Sequence, residues 1–322
     1  MKVKRIGVLT SGGDAPGMNA SIRAVVRAAK YYGIEAVGIK RGYAGLIEGN
    51  MDSLDVRNVS GIINKGGTIL HTVRCPQFKQ KGYRNRAYEQ IKEHEIDALV
   101  IIGGDGSLHG SLSIYKESGT PCIVIPATID NDLPKTDYTI GFDTAVNTAV
   151  EAIDKIRDTA TSHERVFIVE VMGREHGFLA LEVGIVSGAE IILIPEMKYS
   201  LPKIIDQLQK GISRGKVSSI IVMAEGAGKS SQIAAGIAKK TKKEVRVTIL
   251  GHIQRGGIPS AFSRVLAGKF GLEAVRLLTK GRYNRMVGMQ KGRVTSTLIA
   301  DVVKAEKLIS LEDYKLAQIM AI

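Results

Sequence analysis

Two apolar runs, Ala98–Ile102 and Cys122–Ile125, each end abruptly in a polar loop: Gly103-Gly104-Asp105-Gly106-Ser107 after the first, Pro126-Ala127-Thr128-Ile129-Asp130-Asn131-Asp132 after the second. Short unbroken runs of branched residues, separated by a helical pattern, are what strands buried on both faces of a parallel sheet look like. Both loops are therefore expected to leave neighbouring parallel strands at their carboxyl ends, the edge where open α/β sheets bind ligands. Glycines let backbone N–H groups approach a phosphate closely, while Asp105, Asp130 and Asp132 supply a metal ligand and a base. That combination reads as phosphoryl transfer. Tight turns and helix caps explain one such loop on its own; two of them, each closing a β-branched run, favour chemistry.

At 322 residues and 44% hydrophobic content, the chain exceeds the ~250–300 residues at which single cores stop growing, so two domains are expected. No apolar run approaches the length that spans a bilayer, and Met1–Arg5 leads straight into a strand; a cytoplasmic protein with no membrane association is expected. Cys75 and Cys122 make no disulfide framework, and Cys122 sits in an apolar strand as a small hydrophobe. The net charge of +13 is spread along the chain, with 5% aromatics and no tryptophan, which favours polyanionic small molecules over nucleic acid.

Read in order, Arg5–Thr10 is a strand broken by Ser11-Gly12-Gly13-Asp14 before a helix near Met18 that carries Arg23 and Arg27. This third glycine loop lacks both the Gly-Lys-Ser/Thr of a Walker loop and the spacing of a dinucleotide fingerprint. Glu35–Ile39 is a second strand. Tyr43 follows it and has two readings, stacking on a base or ordinary packing. Residues 84–95 read as a polar, solvated helix. A second α/β unit begins near residue 142 with a long helix over 144–160 carrying Arg157. Its strands, at 166–171, 191–194, 220–223 and 245–250, open onto Met172-Gly173-Arg174, Glu225 and Gly251-His252 through Arg255. After Ser260 come a helix to about Lys280, a strand near Val287 and a basic helical tail. The expected fold is α/β: two Rossmann-like three-layer domains with mainly parallel sheets, facing each other across an active-site cleft.

Gly12-Gly13-Asp14, Arg74-Cys75, Gly104 to Ser107, Pro126 to Asp132, Met172-Gly173-Arg174 and Gly251-His252 with Gln254 to Gly257 together resemble bacterial 6-phosphofructokinase, in order and spacing over essentially the whole chain. The resemblance implies transfer of the γ-phosphoryl group of ATP to the 1-hydroxyl of fructose 6-phosphate, giving fructose 1,6-bisphosphate and ADP in glycolysis, with Mg as cofactor. It implies an ATP-binding domain at 1–141 plus about 253–304 and a sugar-phosphate domain at 142–252 plus about 305–322. Asp130 is the implied base, Asp132 its tuning neighbour, Asp105 the Mg ligand, and Thr128 and Arg174 the holders of the transferring group. Gly13, Tyr43, Arg74, Cys75, Gly104, Asp105, Gly106 and Ser107 are implied to line the nucleotide site. For the sugar the resemblance implies Thr128, Ile129, Asp130, Met172, Gly173, Arg174, Glu225, His252 and Arg255, with Arg165 and Arg246 reaching the 6-phosphate from the adjacent subunit of a homotetramer. An effector site for ADP or phosphoenolpyruvate is implied at Arg23, Arg27, Arg157, Gly188, Glu190, Arg214 and Lys216, where Gly61 and Val217 depart from the family pattern.

Relatives that use pyrophosphate carry aspartate in place of Gly106 and lysine in place of Ala127. Both residues are small here, so ATP is the expected donor. The Gly-Gly-Asp-Gly loop alone also fits a lipid or NAD kinase, and the fold alone fits a non-catalytic phospho-ligand sensor. Thr128 to Asp132 combined with Met172-Gly173-Arg174 argues against the first, and the presence of Asp105 and Asp130 against the second.

Overall fold

The structure, a computed structural model, describes residues 3–321. The chain forms two compact units, dividing at Thr144/Ala145, Gln254/Arg255 and Lys307/Leu308. The first unit opens with β1 (Arg5–Ser11), α1 (Met18–Tyr31), β2 (Glu35–Ile39), α2 (Tyr43–Glu48) and β3 (Met51–Leu54). It continues with α3 (Lys81–Glu93), β4 (Ala98–Gly103), α4 (Asp105–Ser118), β5 (Cys122–Thr128) and the two-residue β6 (Ile140–Gly141). Helix α5 (Phe142–Ser162) carries the chain into the second unit, which holds β7 (Val166–Val171), α6 (Phe178–Val186), β8 (Ile191–Leu193), α7 (Leu201–Ser213), β9 (Ser219–Ala224), α8 (Ser230–Thr241) and β10 (Val245–Ile249). The chain then returns to the first unit for α9 (Ala261–Thr279), β11 (Arg285–Gln290), β12 (Arg293–Leu298) and α10 (Ile299–Lys304), and ends in the second with α11 (Leu311–Met320).

The first sheet runs β12-β11-β5-β4-β1-β2-β3, with β6 paired to β5. Its five central strands are parallel, and only the flanking pairs β2/β3 and β11/β12 are antiparallel. Leu9, Leu99, Ile101, Cys122 and Val124 share one buried cluster with Leu46, Ile91, Leu108 and Ile114 from α2, α3 and α4. The alternate residues Val8, Val100, Ile102 and Ile123 are equally buried and by strand alternation face the other way, where α1 and α9 lie. Those two helices approach closely because position 271 is glycine: a Cβ there would stand 2.5 Å from that of Ala24. The second sheet, β10-β7-β9-β8, is wholly parallel. Val166, Ile168, Ile221 and Met223 pack there against Ile204 and Leu208 of α7 and Ile233 and Ile237 of α8. Both units are thus α/β with mainly parallel sheets, as expected.

Besides the two-residue β6, two strands escape the sequence pattern. Met51–Leu54 and Arg293–Leu298 are partly exposed edge strands, each completing an antiparallel pair, and half-solvated edges carry little apolar signal. The tail after Val287 is accordingly a strand first and helical only from Ile299.

Phe270 is fully buried on α9. Phe270→Ala is expected to destabilise the first unit by about 3–5 kcal/mol. Urea unfolding followed by circular dichroism measures this; a loss below about 1 kcal/mol would contradict the assigned core.

Candidate functional site

The three loops of the first unit leave adjacent strands at one edge of the sheet. Ser11 at the end of β1 is in register with Gly103 at the end of β4, and Gly103 with Pro126 in β5. Side chains stitch these ends together. Ser107 Oγ donates to the Ser11 carbonyl (3.2 Å) and Thr72 Oγ1 to the Gly12 carbonyl (2.8 Å). The Arg255 guanidinium bonds the Asp14 carbonyl (3.2 Å) and lies against Gly13 so closely that a Cβ at position 13 would collide with it. Arg255, expected among the sugar contacts, is therefore seated in the first unit beside the first glycine loop. Arg74 is exposed and Cys75 half-buried, and both cysteines are free thiols.

Asp105 opens α4 with an exposed carboxylate, its Oδ1 3.6 Å from His109 Nε2. Gly106, next in the same first turn, is exposed, and a Cβ there would meet nothing within 4 Å. The space over Gly106 is open, and a bulky side chain at this position would occupy it. No group of three His, Cys, Asp or Glu among the described residues could enclose a metal. Mg fits the site nonetheless, since it is held by one or two carboxylates together with substrate phosphates.

The turn after β5 is tightly pinned. Thr139 Oγ1 donates to the Thr128 carbonyl (2.6 Å) and lies 3.3 Å from Asn131 Oδ1, while the Asp130 N–H donates to Thr128 Oγ1 (3.2 Å). Asn131 adopts a left-handed conformation, φ 50°, which turns the chain between the two aspartates. Ile129 is fully buried, and the Asp130 residue is 2% exposed. Thr139 is a residue that motif reading missed, and Asn131, though inside the Pro126–Asp132 motif, carried no role there, because the partners of both are fixed only by the folded turn.

Tyr43 requires a correction. Its ring stacks on Phe78 with centroids 4.2 Å apart, and its hydroxyl donates to the Ser107 carbonyl at 2.7 Å. Burial also pushes the phenol pKa well above its ordinary value. Tyr43 is a core side chain that supports the Gly104–Ser107 turn from beneath; packing excludes the base-stacking alternative.

In the second unit, Val171 at the end of β7 is in register with Ala224 at the end of β9. Met172 is buried, and the chain then turns through Gly173 (φ 136°) and Arg174 (φ 53°). Glu225 holds this turn: its Oε1 accepts from Gly173 N (3.2 Å) and Arg174 N (2.7 Å). A side chain at Gly226 would strike the Arg174 carbonyl. Glu196, unmarked in the sequence, accepts from Gly177 N (2.8 Å) and steadies the far end of the same loop. His252 is exposed just past β10, the neighbour of β7.

Arg165 and Arg246 lie elsewhere. Arg165 immediately precedes β7 and Arg246 is the second residue of β10, so both sit at the amino edge of the sheet that carries Arg174 and His252 at its carboxyl edge. Six residues of β7 separate the two edges by ~20 Å at the rise of a strand. Glu244 stands between the two arginines, accepting from Arg165 Nε at 2.6 Å and pairing with Arg246 Nη2. The Arg165 hydrogen bond foremost holds the Glu244 carboxyl below the usual carboxylate range.

Five of the seven expected effector residues gather in the second unit. Glu190 lies 3.7 Å from Arg157 Nη1 and 3.3 Å from Lys216 Nζ, and accepts from Ile220 N at 2.6 Å. Arg157 also donates to the Gly188 carbonyl (3.1 Å), and Arg214 lines a cavity of about 320 Å³ with Glu190 and Lys216. Arg23 and Arg27 lie on α1 of the first unit, half-buried and exposed respectively.

The phosphofructokinase family profile matches residues 5–278. The ATP-dependent 6-phosphofructokinase of Bacillus cytotoxicus is 52% identical over 320 residues, covering 99% of this chain and 100% of that protein. Among solved structures, Pichia pastoris phosphofructokinase in the T-state superposes with a TM-score of 0.90 at 34% identity, over 99% of this chain and 39% of the longer Pichia chain. The pyrophosphate-dependent phosphofructokinase of Marinobacter aquaeolei gives a TM-score of 0.87 at 22% identity, over 96% of this chain and 86% of that one, a likeness of fold alone. With a profile match across most of its length and half its residues shared with a relative it covers from end to end, the chain belongs to the phosphofructokinase family.

Proposed function

We propose that the chain is an ATP-dependent 6-phosphofructokinase, transferring the γ-phosphoryl group of ATP to the 1-hydroxyl of fructose 6-phosphate in the cytoplasm. The observation that carries this reading is the edge at which β1, β4 and β5 end side by side, with a buried aspartate at one loop and an exposed aspartate opening a helix at the next. The first turn of α4 offers N–H groups and the positive end of a helix dipole to the donor's phosphates. Gly13, Gly104, Gly106 and Ser107 keep backbone and space available there, with Arg74 and Cys75 flanking them. Asp105 would hold Mg, which would supply positive charge against the donor's phosphates.

Asp130 accepts the proton of the sugar's 1-hydroxyl as that oxygen attacks phosphorus, and Asp132 orients it. Thr128 and Arg174 hold the transferring group, whose charge spreads over its equatorial oxygens. Met172, Gly173, His252 and Arg255 contact the sugar. Glu225 acts first on the backbone of the Gly173-Arg174 turn, presenting the arginine. Arg165, ~20 Å from that turn by strand rise, and Arg246, ~13 Å from the end of β7 by the same measure, grip the 6-phosphate of a neighbouring copy, which makes the working enzyme an oligomer, a homotetramer in this reading. Guanidinium forks suit a phosphate dianion. The cluster at Arg157, Gly188, Glu190, Arg214 and Lys216, with Arg23 and Arg27, takes an anionic effector, ADP or phosphoenolpyruvate.

A coupled assay for fructose 1,6-bisphosphate with ATP-Mg and with pyrophosphate-Mg tests the donor: activity with ATP alone is expected, and activity with pyrophosphate alone would overturn the reading from Gly106 and Ala127. Asp130→Ser is expected to lower kcat by ~10²–10⁴-fold while KM moves only modestly, because a base acts in the transition state. Near-normal turnover would remove its role. For Arg246→Ala, steady-state kinetics should show KM rising far more for fructose 6-phosphate than for ATP; equal effects on both would contradict the 6-phosphate assignment.

A further inference from the structure

We propose that Lys307 is a positioning residue for phosphoryl transfer, its ammonium group holding the turn that carries Asp130 and adding a positive charge to the surroundings of the adjoining Asp132 carboxylate. The inference rests on the reading of Asp130 as the base. Lys307 is the last residue of the first unit, 170 positions from the nearest part of the turn it serves. Nothing local in the sequence marks it.

The geometry is specific. Lys307 Nζ donates to the Asp137 carbonyl at 3.2 Å, and the same carbonyl accepts from Asn131 Nδ2 at 3.1 Å. Asn131 is the residue between the two aspartates, so the lysine and the left-handed turn close on one oxygen atom. The β11–β12 hairpin secures the other side: Asp137 N donates to the Met289 carbonyl (2.7 Å), Met289 N to Thr136 Oγ1 (3.0 Å) and Lys291 N to Asp137 Oδ2 (2.7 Å). Lys307 is half-buried, and the Asp132 and Asp137 carboxylates attract its ammonium. Burial draws its pKa down to about 8 against the pull of those two carboxylates, so at neutral pH the cation predominates. A cation beside a carboxylate favours its ionised form, which here is the form that orients and tunes the base.

A hydrogen bond to a carbonyl needs only a donor, whereas the electrostatic role needs a charge. Lys307→Met, Lys307→Gln and Lys307→Arg separate the two in the full-length enzyme. The readout is the pH profile of kcat with saturating ATP-Mg and fructose 6-phosphate. Removal of the cation should move the acid limb of Lys307→Met and Lys307→Gln to higher pH by about one unit, about tenfold in kcat at the acid end, while Lys307→Arg keeps the wild-type acid limb. Arginine also stays charged above pH 8, so the alkaline decline that Lys307 gives the wild type should be absent in Lys307→Arg, a readout that needs only the conservative variant. Acid and alkaline limbs identical in all four proteins would overturn the proposal, as would a kcat loss shared by all three variants without movement of either limb. Asp130→Ser assayed alongside separates the failures. Its near-normal turnover would defeat the base assignment, whereas an inactive Asp130→Ser with unmoved Lys307 profiles would defeat the Lys307 proposal alone.

Discussion

A parallel sheet delivers successive loops to one edge, and that constraint organises the chemistry of this chain. β1, β4 and β5 are adjacent and in register, so a glycine loop, a helix opening on Asp105 and the Asp130 turn emerge side by side although they are far apart in sequence. The same rule in the second unit places the Gly173-Arg174 turn beside Glu225 and His252 at the ends of β7, β9 and β10. Strand pairing thus sets the site before any side chain has chosen a rotamer. What remains is to stop the loops moving, and the structure does so largely with neutral hydrogen bonds from Ser107, Thr72, Thr139 and Asn131.

The opposite edge of the second sheet carries a different cluster. Arg165 and Arg246 are held in one cluster by Glu244, at the wrong end of β7 to join Arg174. A carboxylate between two guanidinium groups offsets their mutual repulsion and fixes their spacing. It also neutralises part of their charge, so in the proposed 6-phosphate role geometry would matter as much as charge. The separation of the two edges along β7 is what supports the proposed shared site.

Much of this was legible in the sequence, for physical reasons. Strands buried on both faces must be continuously apolar, and turns that approach phosphates need glycine, so β1, β4, β5 and the loops after them stood out. Edge strands such as Arg293–Leu298 face solvent on one side and carried no such signal. Tyr43 looked available because it follows a glycine, but Phe78, which stacks on it, is 35 residues away. Long-range partners were invisible altogether: Lys307, Thr139 and Glu196 acquire meaning only once the turns they secure exist. Arg165 and Arg246 were singled out only through the family resemblance, and the register of β7 and β10 shows that they lie toward the edge opposite Arg174.

The central claim, that catalysis draws on the carboxyl edge of one copy and the amino-edge arginines of another, is tested most directly by mixing two defective variants. Asp130→Ser and Arg246→Ala are purified separately, dissociated, recombined and assayed at low fructose 6-phosphate. The account predicts that the mixture recovers activity well above the average of its parents, because some sites then pair an intact Asp130 with an intact Arg246 from the other chain. Activity equal to the weighted average of the two, in a sample shown to have exchanged subunits, would contradict it.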